Sequence, residues 1–182
     1  MLKLKKEFKM TVKYSDLKNK RVFITGGGSG IGGSIVEHFC EQGSEVYFVD
    51  IDLKETKKLL NKIKKNKFRT PAFIECNLLD INKLEKIIKN IISKKGPIHS
   101  LVNNAANDDR HTTAQVDEKY WENRMAINLK HYFFAAKAVV KSMKKMKAGS
   151  IINLSSVSWM LGEGDKVVYE TAKSAVVGLT RS

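Results

Sequence analysis

The sequence predicts an α/β fold in which helices cover both faces of one doubly wound parallel sheet. Short apolar segments rich in Val, Ile and Phe alternate with longer segments of helical periodicity. Short turns separate them, and 182 residues suit a single domain of this kind. Because each helix carries the chain back across the sheet, the strands that it connects lie parallel.

Five short segments have the composition of buried strands, at 21–25, 45–50, 72–76, 100–103 and 150–155. Helical periodicity is found at 31–42, 53–67, 84–94 and 117–146, and a further helix is predicted to begin near Tyr169. In one of these segments, four apolar residues share a face: Leu84, Ile87, Ile88 and Ile91. Gly43 and Gly96 stand where helix ends are expected.

The two ends of the sequence differ from this alternating middle. Residues 1–16 are basic, and we expect a frayed extension before a domain at 17–182, with Met10 as an alternative start. At the other end, the chain stops inside the helix that begins near Tyr169, without a C-cap or a sixth strand. We therefore expect a sheet that is truncated after the fifth strand and the start of the following helix.

The net charge of +14 raises the question of a nucleic-acid partner. However, 28 of the 33 basic residues are lysines, and arginine, whose planar group reads bases and phosphates, is scarce. The lysines follow the predicted helices without interleaved aromatic residues, which favours solvated helix faces. We therefore expect no nucleic-acid partner.

Composition also bears on membranes, disulfides and metals. No apolar run reaches the roughly 18 residues of a membrane span, and no signal peptide is visible. Cys40 and Cys76 form no paired motif and are predicted to be buried apolar positions. His38, His99 and His131 lack metal-ligand spacing and are predicted to be ordinary surface or helix residues. These features favour a cytoplasmic protein that needs neither a membrane nor a metal.

A glycine-rich turn follows the first predicted strand and indicates a nucleotide site. Gly26, Gly30 and Gly32 follow Thr25 at the spacing TGxxxGxG, just before a predicted helix. Glycines let the backbone approach a pyrophosphate, and the helix N-terminus offers it N–H groups. This spacing differs from GxGxxG, so by itself it is also compatible with an ordinary glycine-rich turn.

A carboxylate at the end of the second predicted strand indicates which dinucleotide binds. Asp50 follows Gly32 by 18 residues, where it can accept hydrogen bonds from the adenosine ribose hydroxyls. Neither the glycine turn nor Ile51 supplies an Arg or Lys for a 2′-phosphate, which Asp50 would repel. We therefore expect NAD rather than NADP, with a capping Asp in a surface turn as the alternative.

Several separate motifs make the sequence resemble the short-chain dehydrogenase/reductase family. They are TGGGSGIG at 25–32, NNAA at 103–106, Asn128 in MAINL, YETAK at 169–173, and Ser156, 13 residues before Tyr169. Ala106 replaces the last glycine of the family's NNAG, and Asn77 replaces its usual Asp after the third strand. From about Leu17 onward, the resemblance implies a Rossmann-like sheet and hydride transfer to a nicotinamide cofactor. It also implies a homo-oligomer, either a dimer or a tetramer.

The residues at the catalytic motif suit the removal of a hydroxyl proton. A tyrosine is a poor base at neutral pH, but an ammonium one helical turn away can stabilise its phenolate. Tyr169 and Lys173 have this spacing, and Ser156 can hydrogen-bond the substrate oxygen. The Tyr–Lys pair alone is also compatible with a solvated helix face. The resemblance implies that Lys173 holds the nicotinamide ribose and that Asn128 supports a water-mediated proton relay.

The resemblance further implies a cofactor site built from strand ends, the glycine turn and the catalytic pair. Its predicted residues are Gly26, Ser29, Gly30, Ile31, Gly32, Asp50, Ile51, Asn77, Leu78, Asn104, Ala105, Ala106, Tyr169 and Lys173.

Two loops resemble those of bacterial aldose 1-dehydrogenases of this family, of the D-xylose, L-arabinose/D-galactose and L-fucose types. They are NDDRH at 107–111 and SVSWMLGEGD at 156–165. Carboxylates, an amide, an imidazole and an indole suit a polyhydroxylated ring. The predicted substrate residues are Asn107, Asp109, His111, Ser158 and Trp159, with Asp108 as a further candidate. Alternatively, Asp108, Asp109 and Arg110 only stabilise their own loop.

The sequence therefore predicts an NAD-dependent short-chain dehydrogenase that oxidises an aldose at C1 to the lactone. The alternatives are the same chemistry on another alcohol or a 3-oxoacyl substrate, and an inactive NAD-binding fragment.

Overall fold

The computed structural model describes residues 12–182, so most of the predicted extension, residues 1–11, lies outside the described residues. Where the description begins, the chain is tied to the domain through Gln42. Tyr14 N donates to Gln42 Oε1 at 2.8 Å, and Gln42 Nε2 donates to Val12 O at 3.3 Å. The boundary at Leu17 stays a prediction.

Five parallel strands form one sheet, in the order β3-β2-β1-β4-β5. They are β1 Arg21–Thr25, β2 Glu45–Asp50, β3 Ala72–Glu75, β4 Ser100–Asn103 and β5 Ser150–Asn153. The order reverses between β1 and β4, which makes that crevice the ligand-binding position of an open parallel sheet. The predicted doubly wound, Rossmann-like sheet is confirmed. Strands β3 and β5 end one and two residues earlier than predicted.

Helices follow each strand. They are α1 Gly30–Glu41, α2 Leu53–Lys65, α3 Ile81–Lys95, α4 Glu118–Met125, α5 His131–Met146, α6 Ser158–Leu161 and α7 Val167–Arg181. Helix α3 begins before its predicted start because Asp80 caps it, accepting a hydrogen bond from Lys83 N at 2.9 Å. The predicted helix at 117–146 is divided by a π-helical turn, Ala126–Lys130, and the short helix α6 was not predicted.

Alternation along the strands gives the sheet two separate apolar cores. Val22 and Ile24 of β1 face one side, where α1 and α2 contribute Val36 and Ile63. Phe23 points to the other side. There, α3 and α5 contribute buried residues that include Leu84, Ile88, Ala135 and Val139. Both faces are therefore buried, as a parallel sheet requires.

Two further observations concern the predicted classes of site. Within residues 12–182, no helix is long and apolar enough to cross a membrane. In the same range, no three His, Cys, Asp or Glu side chains are grouped as metal ligands. Cys40 and Cys76 are buried free cysteines, as predicted.

Candidate functional site

A groove of about 540 Å³ lies where the carboxyl ends of β1, β2, β3 and β4 meet. It brings together every predicted cofactor residue except Tyr169 and Lys173: Gly26, Ser29, Gly30, Ile31, Gly32, Asp50, Ile51, Asn77, Leu78, Asn104, Ala105 and Ala106. Four other residues complete the lining: Cys76, Asn107, Asp108 and Ile127. Segments distant in sequence therefore share one concave surface.

The glycine turn is shaped for a ligand that approaches the backbone. Gly26 and Gly30 have φ of 65° and 54°, a conformation that other residues rarely adopt. A Cβ on Gly32 would lie 1.9 Å from Gly26 O, so only glycine fits there. A Cβ on Gly30 would meet no described atom within 4 Å, so this side of the turn is open. The turn is thus tightly packed at Gly32, whereas Gly30, which lines the groove, has space around it.

The N-terminus of α1 faces the same turn. Ser29 is its N-cap residue, but its side chain makes no capping hydrogen bond within the described structure. The first backbone N–H groups of a helix have no partner inside the helix and attract anions. Together with the open glycine turn, this end of α1 fits the pyrophosphate of a dinucleotide.

Asp50 lies at the end of β2, with its carboxylate held by backbone groups. Asp50 Oδ2 accepts from Gly28 N at 2.7 Å, and Oδ1 accepts from Ile51 N at 2.7 Å and Asp52 N at 2.9 Å. A carboxylate has about four acceptor positions, so it retains capacity for a ribose hydroxyl. The side chain is therefore both a brace of the turn and a negative charge on the groove.

Asn104 connects the loop after β4 to the glycine turn. Its Nδ2 donates to Thr25 O at 3.1 Å and to Gly26 O at 2.9 Å. Thr25 Oγ1 in turn accepts from Asn104 N at 3.1 Å and Ala105 N at 3.2 Å. The amide that was predicted to bind cofactor therefore also fixes two walls of the groove. On another wall, Asn77 Oδ1 accepts from Leu79 N at 3.0 Å and shapes the turn after β3.

Lys173 lies one turn after Tyr169 on α7, and its side chain is buried. Its Nζ donates to Leu154 O, just after β5, at 2.8 Å and to the Tyr132 hydroxyl at 2.9 Å. The same nitrogen lies 5.7 Å from the centroid of the Tyr169 ring. Burial lowers the pKa of Lys173 from 10.5 to about 8. The ammonium is thus fixed beside the predicted base.

Ser156 lies in the loop that joins β5 to α6, and α7 contacts α6. Ser155 Oγ donates to Lys173 O at 2.6 Å, which ties this loop to α7. Ser156 Oγ hydrogen-bonds to Ser158 Oγ at 2.9 Å, so two predicted site residues form a hydroxyl pair. The loop after β5 and the YETAK segment are therefore joined directly.

Asn128 is fully buried in the π-helical turn, where it holds the loop after β4. Its Oδ1 accepts from Asn107 N at 2.8 Å, and its Nδ2 donates to Asn107 O at 3.0 Å. Both ends of the amide are thus occupied by one backbone unit. Since Asn107 lines the groove, Asn128 links the π-helical turn to the predicted cofactor site. Its part in a proton relay stays a prediction.

His111 is buried, and both of its ring nitrogens have protein partners. Its Nδ1 lies 3.0 Å from Asp109 O and 2.8 Å from the Tyr120 hydroxyl. Its Nε2 accepts from Val168 N, at the start of α7, at 3.4 Å. Arg124 also binds Asp109, with 2.8 Å between Nη2 and Oδ2. These contacts favour the alternative in which this loop is stabilised locally, although Asp108 lines the groove.

Ser158 and Trp159 begin the short helix α6. Ser158 is buried, and Trp159 is half-buried. Trp159 Nε1 is buried without a hydrogen-bond partner among the described residues. Exposed apolar side chains surround them in sequence: Val157, Met160 and Leu161. This segment therefore presents an indole and an apolar surface next to Ser156.

Comparisons with known proteins agree with this geometry. The family model for short chain dehydrogenases matches residues 20–182. The chain belongs to the short-chain dehydrogenase family. D-xylose 1-dehydrogenase of Caulobacter vibrioides is 43% identical over 169 residues, 93% of this chain and 66% of that protein. A probable galactose dehydrogenase of Rhizobium meliloti is 38% identical over the same shares.

A solved structure shows the same fold. The aldohexose dehydrogenase of Thermoplasma acidophilum superposes with a TM-score of 0.79 at 30% identity, covering 92% of this chain and 61% of that one. This chain therefore spans somewhat less than two thirds of the length of these short-chain dehydrogenases. The family resemblance inferred from the motifs is confirmed.

Two residues that this short-chain dehydrogenase buries beside its site were not predicted. His131 was placed among ordinary surface or helix residues, but it is fully buried, and its Nε2 donates to Ala105 O at 3.2 Å. Tyr132 is also fully buried and contacts Lys173. Both lie in the first turn of α5, in an apolar helical pattern, so sequence alone favours core positions. The sequence signal that could have identified them is a polar side chain at a position that the apolar pattern assigns to the core. Such a side chain needs a hydrogen-bond partner inside the protein.

Proposed function

We propose that the protein is an NAD-dependent short-chain dehydrogenase that oxidises an aldose at C1 to its lactone. The observation that carries the proposal is Lys173, which is buried one turn after Tyr169 with its ammonium bound to Leu154 O. The groove at the strand ends, whose lining includes the glycine turn and Asp50, supports the dinucleotide part. The aldose part is supported by the sugar dehydrogenases named among the relatives. It is also supported by the polar loop 107–111.

The proposed cofactor is NAD because the groove carries a carboxylate, Asp50, whose charge would repel a 2′-phosphate. Asp50 is held in place by three backbone N–H groups, so it cannot turn away without leaving them unpaired. Ile51, which follows it, is exposed and uncharged. When bound, NAD supplies the hydride acceptor for the reaction. The glycine turn, the N-terminus of α1 and Asp50 would hold it.

Tyr169 acts as the base in the proposed reaction. Its phenolate takes the proton of the C1 hydroxyl as C1 gives up its hydrogen with the bonding pair, which leaves a carbonyl. Lys173 stabilises that phenolate through its fixed positive charge. Ser156 donates to the substrate oxygen, and its hydroxyl is oriented by Ser158. The proton then leaves Tyr169 for solvent, which restores the phenolate beside the Lys173 ammonium.

Substrate recognition is assigned to the two loops at the carboxyl edge of the sheet. Trp159 presents a half-buried indole for an apolar sugar face, with an Nε1 that has no partner among the described residues. Asn107, Asp108 and Asp109 line or flank the groove on the opposite loop. His111 positions this loop rather than contacting sugar directly, since its ring nitrogens are occupied.

Location and assembly complete the proposal. We expect a cytoplasmic homo-oligomer, a dimer or a tetramer, in which residues 17–182 belong to one domain. Light scattering on the purified gene product measures the assembly directly, and a monomer at working concentration would contradict it.

The test is NAD reduction by the whole gene product with D-xylose, L-arabinose, D-galactose and L-fucose. Saturable formation of NADH with one sugar, and of its lactone by NMR, is the expected result. Lys173→Met should abolish it, whereas Lys141→Met, at an exposed position of α5, should not. Turnover of an acetoacetyl thioester instead would move the substrate to the 3-oxoacyl class. NADH binding without any turnover would leave a cofactor-binding protein and refute the proposed activity.

A further inference from the structure

A tyrosine outside every motif lies against the predicted catalytic lysine. Tyr132 is fully buried in the first turn of α5, and its hydroxyl oxygen accepts a hydrogen bond from Lys173 Nζ at 2.9 Å. The Tyr132 hydroxyl donates in turn to Leu154 O at 3.2 Å, which also accepts from Lys173 at 2.8 Å. Three groups from α5, α7 and the end of β5 thus form a closed triangle.

This triangle uses two of the three N–H groups of the Lys173 ammonium. The nitrogen also lies 5.0 Å from the centroid of the Tyr132 ring and 5.7 Å from that of Tyr169. The charge is therefore held between two tyrosine rings, with one N–H left for Tyr169 or a ribose hydroxyl. A four-carbon side chain without these partners would sample several positions.

We infer that Tyr132 is a positioning residue, whose hydroxyl fixes the Lys173 ammonium beside Tyr169 and helps to keep it charged. A buried ammonium is costly unless acceptors surround it, and Tyr132 supplies one of the two acceptors that the described structure gives it. Its effect on catalysis rests on the proposed function, but its effect on the charge of Lys173 does not.

The groups around the triangle make the charge of Lys173 sensitive to the Tyr132 hydroxyl. Burial alone already lowers the pKa of Lys173 to about 8, so loss of an acceptor would lower that pKa further. His131, edge-on to Tyr132 at 4.5 Å, adds no positive charge near neutral pH, because burial lowers its pKa to about 4. On α7, Tyr169 is close enough to affect Tyr132, whose own pKa is raised by burial and then by the charge of Tyr169.

The alternative is that the Tyr132 hydroxyl merely finds partners for itself in a packed interior. Tyr132→Phe distinguishes the two, since it removes one oxygen and keeps the ring. A structural role predicts a change in stability alone. A positioning role predicts a change in the titration of Lys173, which packing by itself would not move.

The experiment follows the Lys173 side chain by NMR in the whole gene product, with lysine labelled at Cε and Nζ. The Lys173 signal is assigned by its loss in Lys173→Met. In Tyr132→Phe, we expect the pKa of Lys173 to fall by about one unit. Tyr47→Phe is the matched control, because Tyr47 is a buried tyrosine that binds Glu45 instead.

A second readout tests the consequence for catalysis. If the pKa of Lys173 falls, the ammonium loses its charge at a lower pH, so the alkaline limb of the kcat/KM profile should move to lower pH in Tyr132→Phe. We expect kcat to fall about tenfold, more than the change in KM for NAD. Tyr47→Phe should leave both the limb and kcat in place.

The outcomes separate this inference from the proposed function. An unchanged Lys173 titration in folded Tyr132→Phe overturns the inference, whatever the protein oxidises. A lowered pKa in a protein that oxidises no sugar supports the role of Tyr132 on Lys173 and refutes only the aldose activity. If Tyr132→Phe does not fold, NMR can instead follow the Tyr132 ring carbon that bears the hydroxyl, in the wild type and in Lys173→Met. If the chemical shift of this carbon is the same in both, the inference is overturned as well.

Discussion

The site has a nucleotide end, formed by the glycine turn and Asp50, and a catalytic end, formed by Ser156, Tyr169 and Lys173. These two ends are held together in different ways. At the nucleotide end, backbone groups bind backbone groups close to the turn: Gly26 N and Gly27 N both donate to Val49 O, at 2.8 and 3.2 Å. At the catalytic end, buried side chains join segments far apart in sequence, as Lys173 does with Tyr132, 41 residues away. The nucleotide end depends on glycines, which have no side chain. The catalytic end depends on buried side chains that have few other hydrogen-bond partners.

A second pair of contacts strengthens this difference. Asn103 Nδ2 donates to Asn153 Oδ1 at 2.8 Å, across 50 residues, and to Tyr132 O at 3.3 Å. At the nucleotide end, the side chains of Asp50, Asn104 and Thr25 bind backbone groups. The nucleotide end should therefore fail through steric conflict, whereas the catalytic end should fail through lost polar partners.

The largest effect is expected from Gly32→Ala, at the nucleotide end. The new Cβ would lie 1.9 Å from Gly26 O and 2.5 Å from Asn104 Nδ2, so the turn must open. We expect a loss of more than about 3 kcal/mol in the free energy of unfolding and loss of measurable NADH binding. Urea unfolding and NADH fluorescence measure the two.

Gly178→Ala is the control for the same chemical change. A Cβ at Gly178 of α7 meets no described atom within 4 Å, and alanine favours a helix over glycine by about 1 kcal/mol. This variant should be as stable as the wild type or more stable. If Gly32→Ala bound NADH as the wild type does, the turn would have to be more plastic than the contacts indicate.

The same difference explains what the sequence could and could not predict. Glycine spacing and the position of Asp50 are local signals, because their roles follow from backbone conformation near the residue itself. They therefore predicted the part of the groove that the turn and Asp50 form, whereas its other walls were implied by the family resemblance. The burial of His131 and Tyr132 depends on Ala105 and Lys173, which lie far from them in sequence. Periodicity alone assigns such positions to a core.

The division of the predicted helix at 117–146 has a similar origin. The π-helical turn contains Asn128, whose amide binds both backbone groups of Asn107. A wider turn costs helical hydrogen bonding, and it persists where tertiary contacts favour it. The spacing of apolar residues does not show where helical hydrogen bonds are replaced by tertiary contacts. The sequence therefore predicted one continuous helix.

Tyr169→Phe should give the next largest effect, now at the catalytic end. It removes the proposed base and leaves the groove intact, so turnover should fall by about 100-fold or more. NADH affinity should stay close to that of the wild type, because the groove lining does not include Tyr169. Retained turnover would refute the role of Tyr169, and lost NADH binding would show that the two ends are not independent. Steady-state kinetics and a binding titration decide it.

Acid should weaken the catalytic end through His131. Because burial lowers the pKa of His131 from 6.5 to about 4, its neutral form favours the fold above pH 6.5. As the pH falls from 6.5 toward 4, the unfolded chain binds a proton that the folded protein does not. We expect about 2 kcal/mol of the free energy of unfolding to be lost between pH 7 and pH 5.

His131→Gln tests this contribution. Its side-chain amide can still donate to Ala105 O, but it does not titrate in this range. The variant should lose about 2 kcal/mol less than the wild type over the same two pH units. His38→Gln, at an exposed position of α1, should follow the wild-type curve. Parallel curves for wild type and His131→Gln would remove His131 from the account of acid sensitivity.

The smallest change concerns cofactor choice, at Asp50. Asp50→Ala would remove both the charge and the acceptors of three backbone N–H groups, so its effects on binding and on stability would be mixed. Asp50→Asn keeps one acceptor oxygen and the size of the side chain while removing the charge. If the charge selects against a 2′-phosphate, Asp50→Asn should reduce the ratio of NAD to NADP affinity by about tenfold, mostly through tighter NADP binding. Titration with both cofactors measures the ratio, and Asp52→Asn, the neighbouring cap of α2, is the control. An unchanged ratio in Asp50→Asn would mean that Asp50 serves only to shape the turn. The nucleotide end would then resemble the loop at His111, where a polar residue stabilises the backbone without selecting a ligand.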